Sequence, residues 1–348
     1  TQKHFSEGKK LTDDLVAQFN MSDSPKAGTV LWFTDTLNDL NGVSVIVKKI
    51  GWLSSVKDKD IVIVTSLPPD HIGDDLPPNV VNLPYFYETT IPNYKDLTMR
   101  FPSLLAGLKL LDKYEPDAIY LSTPGPVGLF GLLLSKITNS CSIGVFHTDF
   151  TLQVRKIFGD TTVESLTETF LKTFYSYCDE IRVPTKEYIR ILEERGYDRT
   201  KMKVLRRGIE TDLFSPRLGA KKALALKFGI GDGFTMLYVG RISKDKNLEF
   251  LITIFRNMKA THPSLNLVIA GDGPDLDELM QLTADESGIV FTGRLNREEL
   301  PDLYSGADVF VFPSTTDTFG MVVIEAQSCG LPALVTDQGG PKELVLHG

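Results

Sequence analysis

Short runs of β-branched and aromatic residues alternate along this chain with longer stretches of helical period, the pattern of repeated βαβ units. In the first half Thr29–Thr34, Asp60–Ser66, Asp117–Ser122, Ser142–His147 and Glu180–Val183 read as strands, with helical patterns near 43–55, 97–113, 126–138, 163–177 and 185–195. The alternation restarts with Phe234–Gly240, Leu265–Ala270, Ile289–Thr292, Asp308–Phe312 and Ala333–Thr336, separated by helices near 247–260, 275–285, 297–305 and 320–329. Between the halves a strand-like Lys203–Leu205 gives way to the turn-rich Gly208–Pro216 and a charged, glycine-containing stretch to Gly233. The expectation is a polar lead-in over 1–27 and two doubly wound, Rossmann-like α/β domains, 28–206 and 207–348.

A length of 348 residues suits two such domains. The composition, 42% hydrophobic and 24% charged, is that of a soluble globular enzyme. Acidic residues outnumber basic ones by 45 to 37, which argues against nucleic acid as a partner, since phosphate backbones are held by clustered Lys and Arg. Net charge does not report on local patches, so peripheral contact with a membrane stays open. Lys95, Arg100, Lys109 and Lys113 lie among leucines in Tyr94–Tyr114 and would suit such a surface, but an amphipathic helix packed on its sheet is the simpler reading. Cys141, Cys178 and Cys329 are far apart and odd in number, so buried free thiols in a reducing compartment are expected, and no metal spacing is present. Val127–Leu134 is too short to span a bilayer and Thr1–Lys10 is no signal peptide, which points to the cytoplasm. The missing initiator Met, and an end at Gly348 just after what reads as a helix opening, suggest an excerpt from a longer protein.

In open parallel sheets ligands bind beyond the carboxyl ends of the strands, so residues that immediately follow strands are the candidates. Gly42, in the polar loop after the first strand, stands at a helix N-terminus that offers N–H groups to an anion or a sugar hydroxyl; an ordinary turn capped by Asn41 explains it equally well. His147 ends a strand and would hydrogen-bond a sugar hydroxyl without adding charge, unless it is a satisfied structural histidine. Gly240, Arg241 and Lys246 follow the first strand of the second half and precede a helix, where a planar fork and a point charge would offset a diphosphate. Gly271 and Gly273 either floor a nucleotide pocket or make a tight turn, and Asp275 and Asp277 read as compensation of a helix dipole rather than a metal site. The strongest local signal is Pro313–Ala326, in which Asp317 and Glu325 flank Phe319-Gly320. Carboxylates at these positions would hold the paired hydroxyls of a sugar and a ribose. The plainer roles are an N-cap for Asp317 and a solvated helix face for Glu325.

Taken in order, these segments resemble the group 1, family 4 retaining glycosyltransferases of GT-B architecture. The resemblance rests on Asn41-Gly42-Val43, His147–Phe150, Gly208–Pro216, Gly240-Arg241 with Lys246, Gly271–Pro274, Phe291–Gly293 and Asp317–Glu325, and spans roughly 29 to 346. The Asn-Gly-Val opening, the Arg207-Gly208-Ile209 turn and Thr316–Gly320 are most similar to the branch of bacterial α-mannosyltransferases and sulfoquinovosyl-diacylglycerol synthases. The resemblance implies two facing domains with an interdomain cleft, and a UDP- or GDP-linked sugar as donor substrate. It implies a sugar or lipid acceptor at the cytoplasmic membrane face, and no required cofactor or metal. Arg241 and Lys246 would bind the donor diphosphate and Glu325 the ribose. Asp317 with Phe319 and Gly320 would hold the transferred sugar, His147 would contact it, and Gly42, Gly240, Gly271, Gly273 and Arg294 would line the donor site. Asp317 stands where most members carry Glu, and the last helices of the family lie beyond Gly348.

The expected chemistry is transfer of a hexose to an acceptor hydroxyl with retention. No second carboxylate is placed as a nucleophile, so a same-face reaction is favoured, in which Arg241 and Lys246 stabilise the departing diphosphate and its oxygen takes the acceptor proton. Rival readings are a GT-B nucleotide-sugar epimerase, a phosphorylase, for which no pyridoxal lysine is evident, and a non-catalytic or incomplete nucleotide-sugar-binding domain.

Overall fold

The computed structural model describes residues 28–38, 42–57, 59–73, 75–91, 94–205 and 207–346; Asn41 and the lead-in 1–27 lie outside these. Two parallel sheets organise the chain. The first has seven strands, β1 (Val30–Phe33), β2 (Ile61–Thr65), β3 (Val80–Asn82), β6 (Ala118–Leu121), β7 (Cys141–Val145), β8 (Glu180–Val183) and β9 (Met202–Val204), in the order β3-β2-β1-β6-β7-β8-β9. The second has five, β10 (Thr235–Val239), β11 (Asn266–Ala270), β12 (Ile289–Gly293), β13 (Val309–Phe312) and β14 (Ala333–Val335), in the order β12-β11-β10-β13-β14. A two-stranded antiparallel hairpin, β4 (Tyr85–Ile91) and β5 (Tyr94–Pro102), completes the strands.

The strands form where the apolar runs are continuous, because a parallel sheet is covered on both faces. All five residues of β10 and of β11 are buried. In the second sheet Tyr238 stacks on Phe312 at 6.0 Å and Phe312 on Phe310 at 6.0 Å, a ladder of rings across β10 and β13. In the first, Trp32 stacks on Tyr120 at 4.6 Å across β1 and β6. Each pair marks the place where the strand order reverses, the point at which the loops of neighbouring strands diverge and leave room for a ligand.

By their contacts the residues fall into two compact units. One holds the described residues up to His147 with Thr169–Val183 and Leu192–Lys203; the other holds Thr148–Glu168, Pro184–Ile191 and the described residues from Val204.

Three local readings are corrected. Residues 97–102 are not helical: they belong to β5, and the helix begins at Leu104. Arg100 of this strand pairs across the hairpin with Glu88 at 3.2 Å, so the basic residues of 94–114 do not share one amphipathic helix. Two helices, Phe150–Phe158 and Ala220–Phe228, were not expected; each ends on a glycine in the left-handed region, Gly159 and Gly229. Cys141 is exposed rather than buried, whereas Cys178 and Cys329 are buried. Burial pushes the Cys178 thiol up to about 12 and that of Cys329 up to about 11. A thiol-alkylating reagent is therefore expected to label Cys141 alone in the folded protein and all three cysteines after denaturation, read by peptide mass spectrometry; labelling of Cys178 in the native state would contradict this packing.

Candidate active site

All strands of the second sheet are parallel, so their following loops share one edge. The loops after β10 and β13, neighbours at the reversal point, bring Lys246 and Asp317 together across 71 positions of sequence. Lys246 closes a short 3-10 turn, Lys244–Lys246. Its Nζ donates to Asp317 Oδ2 at 2.8 Å and lies 3.1 Å from Asp245 Oδ2. Ser243 Oγ donates to Asp245 Oδ1 at 2.5 Å, and Thr316 Oγ1 bonds the Asp245 carbonyl at 3.3 Å. Burial opposes these charges, but the partners prevail. The Lys246 ammonium, pulled down by burial, is held above its ordinary range by Asp317 and Asp245. The Asp245 carboxyl, pushed up by burial, is held below its range by Lys246 and its hydrogen bonds. Beneath them Tyr238 is wholly buried; burial, then the charges of Asp317 and Asp245, drive its phenol well above the usual range. It stays protonated and donates to the Arg241 carbonyl at 2.8 Å, which fixes the turn from which the half-buried Arg241 leaves the sheet.

The glycines of this edge let neighbouring loops touch backbone to backbone. A Cβ on Gly271 would lie 1.8 Å from the Gly240 carbonyl oxygen, and one on Gly273 would lie 2.1 Å from that of Ile242. Gly240 is met by the Tyr238 hydroxyl. These glycines thus seat the loop that carries Arg241 and Lys246 on the loop after β11. Arg294, in the loop after β12, is exposed.

After β13 the chain runs through Asp317 to Gly320, whose φ of +86° starts the helix Met321–Ser328. Asp317 is no N-cap: the cap position is Gly320, and the Asp317 carbonyl instead accepts from Gly340 N at 2.9 Å. Phe319 is nearly buried, with the Arg207 guanidinium 4.9 Å from its ring centre. Burial brings the pKa of Arg207 down to about 10.

Glu325 is not on a solvated face. It is 4% exposed, accepts from Tyr304 Oη at 3.1 Å, and pairs with Arg297 Nη1 at 3.4 Å. Arg297 also bonds Glu210 at 2.9 Å and lies over the Phe214 ring at 4.9 Å. Glu325 therefore belongs to a second charged group, held from the helix Leu300–Gly306 and from the 3-10 turn Arg297–Glu299 before it.

In the first unit His147 follows β7 and is 7% exposed, with a ring nitrogen 3.4 Å from Ser122 Oγ, which also accepts from Trp32 Nε1 at 2.5 Å. The N-terminus of the helix Pro126–Thr138 is occupied by an acid of the chain itself: Asp35 accepts from Val127 N at 2.8 Å and Gly128 N at 3.2 Å. Gly42 opens the helix Gly42–Val56, is exposed, and a Cβ there would meet nothing within 4 Å, so packing does not require glycine. Asp277 and Glu278 lie in the first turn of the helix Leu276–Leu282, where its dipole favours acids. Among the described residues no three His, Cys, Asp or Glu side chains are gathered as a metal site, and no helix is long and apolar enough to cross a membrane.

Sequence reasoning did not find Asp245, Tyr238, Arg297 or Tyr304. Asp245 could have been read from its place between Lys244 and Lys246, whereas the others act through contacts that only folding creates.

Residues 41–213 match the model of Glycosyltransferase Family 4, and residues 223–348 match that of Glycosyl transferases group 1. The chain is 27% identical over 235 residues to the sulfoquinovosyl transferase of Arabidopsis thaliana, covering 67% of this chain and 45% of that protein. It is 26% identical over 282 residues to a GDP-mannose-dependent alpha-mannosyltransferase of Corynebacterium glutamicum, covering 80% and 64%. The matched chain thus spans about half to two thirds of these relatives' lengths. Among solved structures, Anabaena HepE in complex with UDP-glucose superposes with a TM-score of 0.70 over 92% of this chain and 83% of that one, at 18% identity, a likeness of fold. The architecture is GT-B, and the chain belongs to the group 1, family 4 glycosyltransferases.

Proposed function

We propose that this chain is a retaining hexosyltransferase that takes its sugar from a UDP- or GDP-linked donor and passes it to the hydroxyl of a sugar or lipid acceptor. The observation that carries the reading is the 2.8 Å contact of Lys246 with Asp317, which joins a cation suited to a diphosphate with a carboxylate suited to sugar hydroxyls. Arg241, its backbone fixed by Tyr238, adds a planar fork on the same loop. As the bond from sugar to diphosphate breaks, negative charge grows on the leaving oxygen, and preset cations stabilise it without reorganising. The same oxygen takes the acceptor proton, which keeps attack on the face of departure and retains configuration. In this reading Asp317 orients the sugar and Phe319-Gly320 borders it, while Glu325, preset by Arg297 and Tyr304, receives the ribose. His147, Gly42 and Arg294 are assigned to the donor on the motif alone. A relative named alpha-monoglucosyldiacylglycerol synthase, from Streptococcus pneumoniae, favours a glycolipid acceptor and with it contact at the cytoplasmic membrane face, while a GDP-mannose-dependent relative and a fold neighbour bound to UDP-glucose leave the base open between UDP and GDP.

The test is a thermal-shift and hydrolysis panel of nucleoside diphosphate sugars, with Arg241→Ala and Asp317→Asn alongside. One donor is expected to raise Tm in the parent protein and to lose that effect in both variants. A shift that survives Arg241→Ala would remove Arg241 from the clamp, and no response to any donor would favour a non-catalytic domain.

A further inference from the structure

The helix Phe150–Phe158 is capped at both ends. Asp149 caps its start, accepting from Leu152 N at 3.3 Å, and Gly159 closes its end. Thr151 Oγ1 also donates to Glu168 at 2.7 Å. From its last turn Lys156 reaches the loop after β13, 159 positions away in sequence. Its Nζ donates to Thr315 Oγ1 at 2.9 Å and to the Asp245 carbonyl at 3.4 Å. Both acceptors are neutral, and among the described residues no carboxylate lies within ion-pair distance of this ammonium. This lysine is held beside two acids that Lys246 already engages.

Charge makes the placement consequential. Asp245, Asp317 and Lys246 together carry one net negative charge, which repels a diphosphate, and Arg241 on the same loop offsets it. Lys156 adds a further positive charge beside this group. We propose that Lys156 is a third cation of the donor site, whose ammonium binds the diphosphate of the nucleotide together with Arg241 and Lys246. Its present partners suit that role. A hydroxyl and a carbonyl aim the ammonium without neutralising it, so a phosphate oxygen can replace the weak 3.4 Å contact and gain a charge-assisted bond. The ammonium is already partly desolvated, and burial draws its pKa below that of a free lysine, which lowers the further cost of burying it against an anion. Nothing in the sequence marks this lysine, because it comes from a helix that follows β7 and not from the second sheet.

The inference rests on the assignment of Lys246 and Arg241 to the diphosphate, and the experiment separates the two. Calorimetry would compare UDP and GDP with uridine and guanosine on the parent protein, Lys156→Gln, Lys156→Arg and Lys246→Gln. The better-binding diphosphate is expected to weaken about tenfold in Lys156→Gln, its nucleoside to be unaffected, and Lys156→Arg to restore most of the loss. The salt dependence of diphosphate binding should also be shallower in Lys156→Gln than in the parent. Lys156→Gln that melts like the parent and binds the diphosphate equally well would overturn the proposal. If Lys246→Gln were also without effect, the diphosphate clamp itself would fall; if Lys246→Gln alone weakened binding, the clamp would stand and Lys156 would be excluded from it.

Discussion

Lys246→Met is expected to lower kcat/KM for the nucleotide sugar by about 10²–10³, the usual effect of removing one preset group that stabilises leaving-group charge. The same change leaves Asp245 and Asp317 facing each other without their shared cation, at 13% and 24% side-chain exposure. Breaking a buried pair from one side destabilises by on the order of 3 kcal/mol. The pH dependence separates this from simple loss of packing. In the parent protein the Asp245 carboxyl is held below its ordinary value, so its contribution is present above the unfolded pKa and is lost as pH falls through the folded one. In the variant, burial and mutual repulsion raise at least one carboxyl above its unfolded value. That group binds a proton more tightly when folded, so the variant loses stability as pH rises. The Tm gap between parent and variant is therefore expected to be smaller at about pH 5 than at about pH 8. A gap that stays constant across that range would mean that the two carboxylates do not share the lysine.

The largest effect on folding is expected from Gly271→Ala. The new Cβ would stand 1.8 Å from the Gly240 carbonyl oxygen, at a φ of +143° that side chains rarely adopt. No flexible group yields there, because the obstacle is backbone. Gly271 N donates to the Gly293 carbonyl and Gly240 N to that of Ala270, both at 3.0 Å, so the starts of the loops after β10, β11 and β12 are tied together. A loss of about 3 kcal/mol or more is expected in urea unfolding, together with weaker donor binding as the loop of Arg241 and Lys246 is displaced. Gly231→Ala is the control: a Cβ there meets nothing within 4 Å, and its effect should stay within about 0.5 kcal/mol. If Gly271→Ala unfolds like the control, the close seating of these loops is wrong.

The pattern of the sequence was enough for the strands of both sheets that lie at the reversal points, and for the helices behind them. Continuous apolar runs such as Met236–Val239 and Phe310–Phe312, short and bounded by turn residues, suit a doubly covered parallel sheet. It was not enough for β3 or the hairpin Tyr85–Pro102. β3 is only three residues long, β4 carries no clear alternation, and in residues 97–102 the alternating pattern of β5 merged with the start of the following helix. The candidate residues after β10 and β13 were legible because parallel strands place every following loop at one edge, a rule that needs no coordinates. Which of these residues meet was not legible. Lys246 and Asp317 touch because β10 and β13 are neighbours, an order that no local pattern encodes. Glu325 looked like a partner of Asp317, yet helical geometry turns it into the group of Arg297 and Tyr304. Lys156 comes from a helix with no visible tie to the second sheet, and only folding brings its charge to Thr315. Sequence alone thus determined most of the elements, the class of fold and the edge on which the candidate residues stand, since these follow from periodicity and chain direction. The pairing of charges was decided by tertiary structure, because electrostatic interaction depends on distances between residues far apart in the chain.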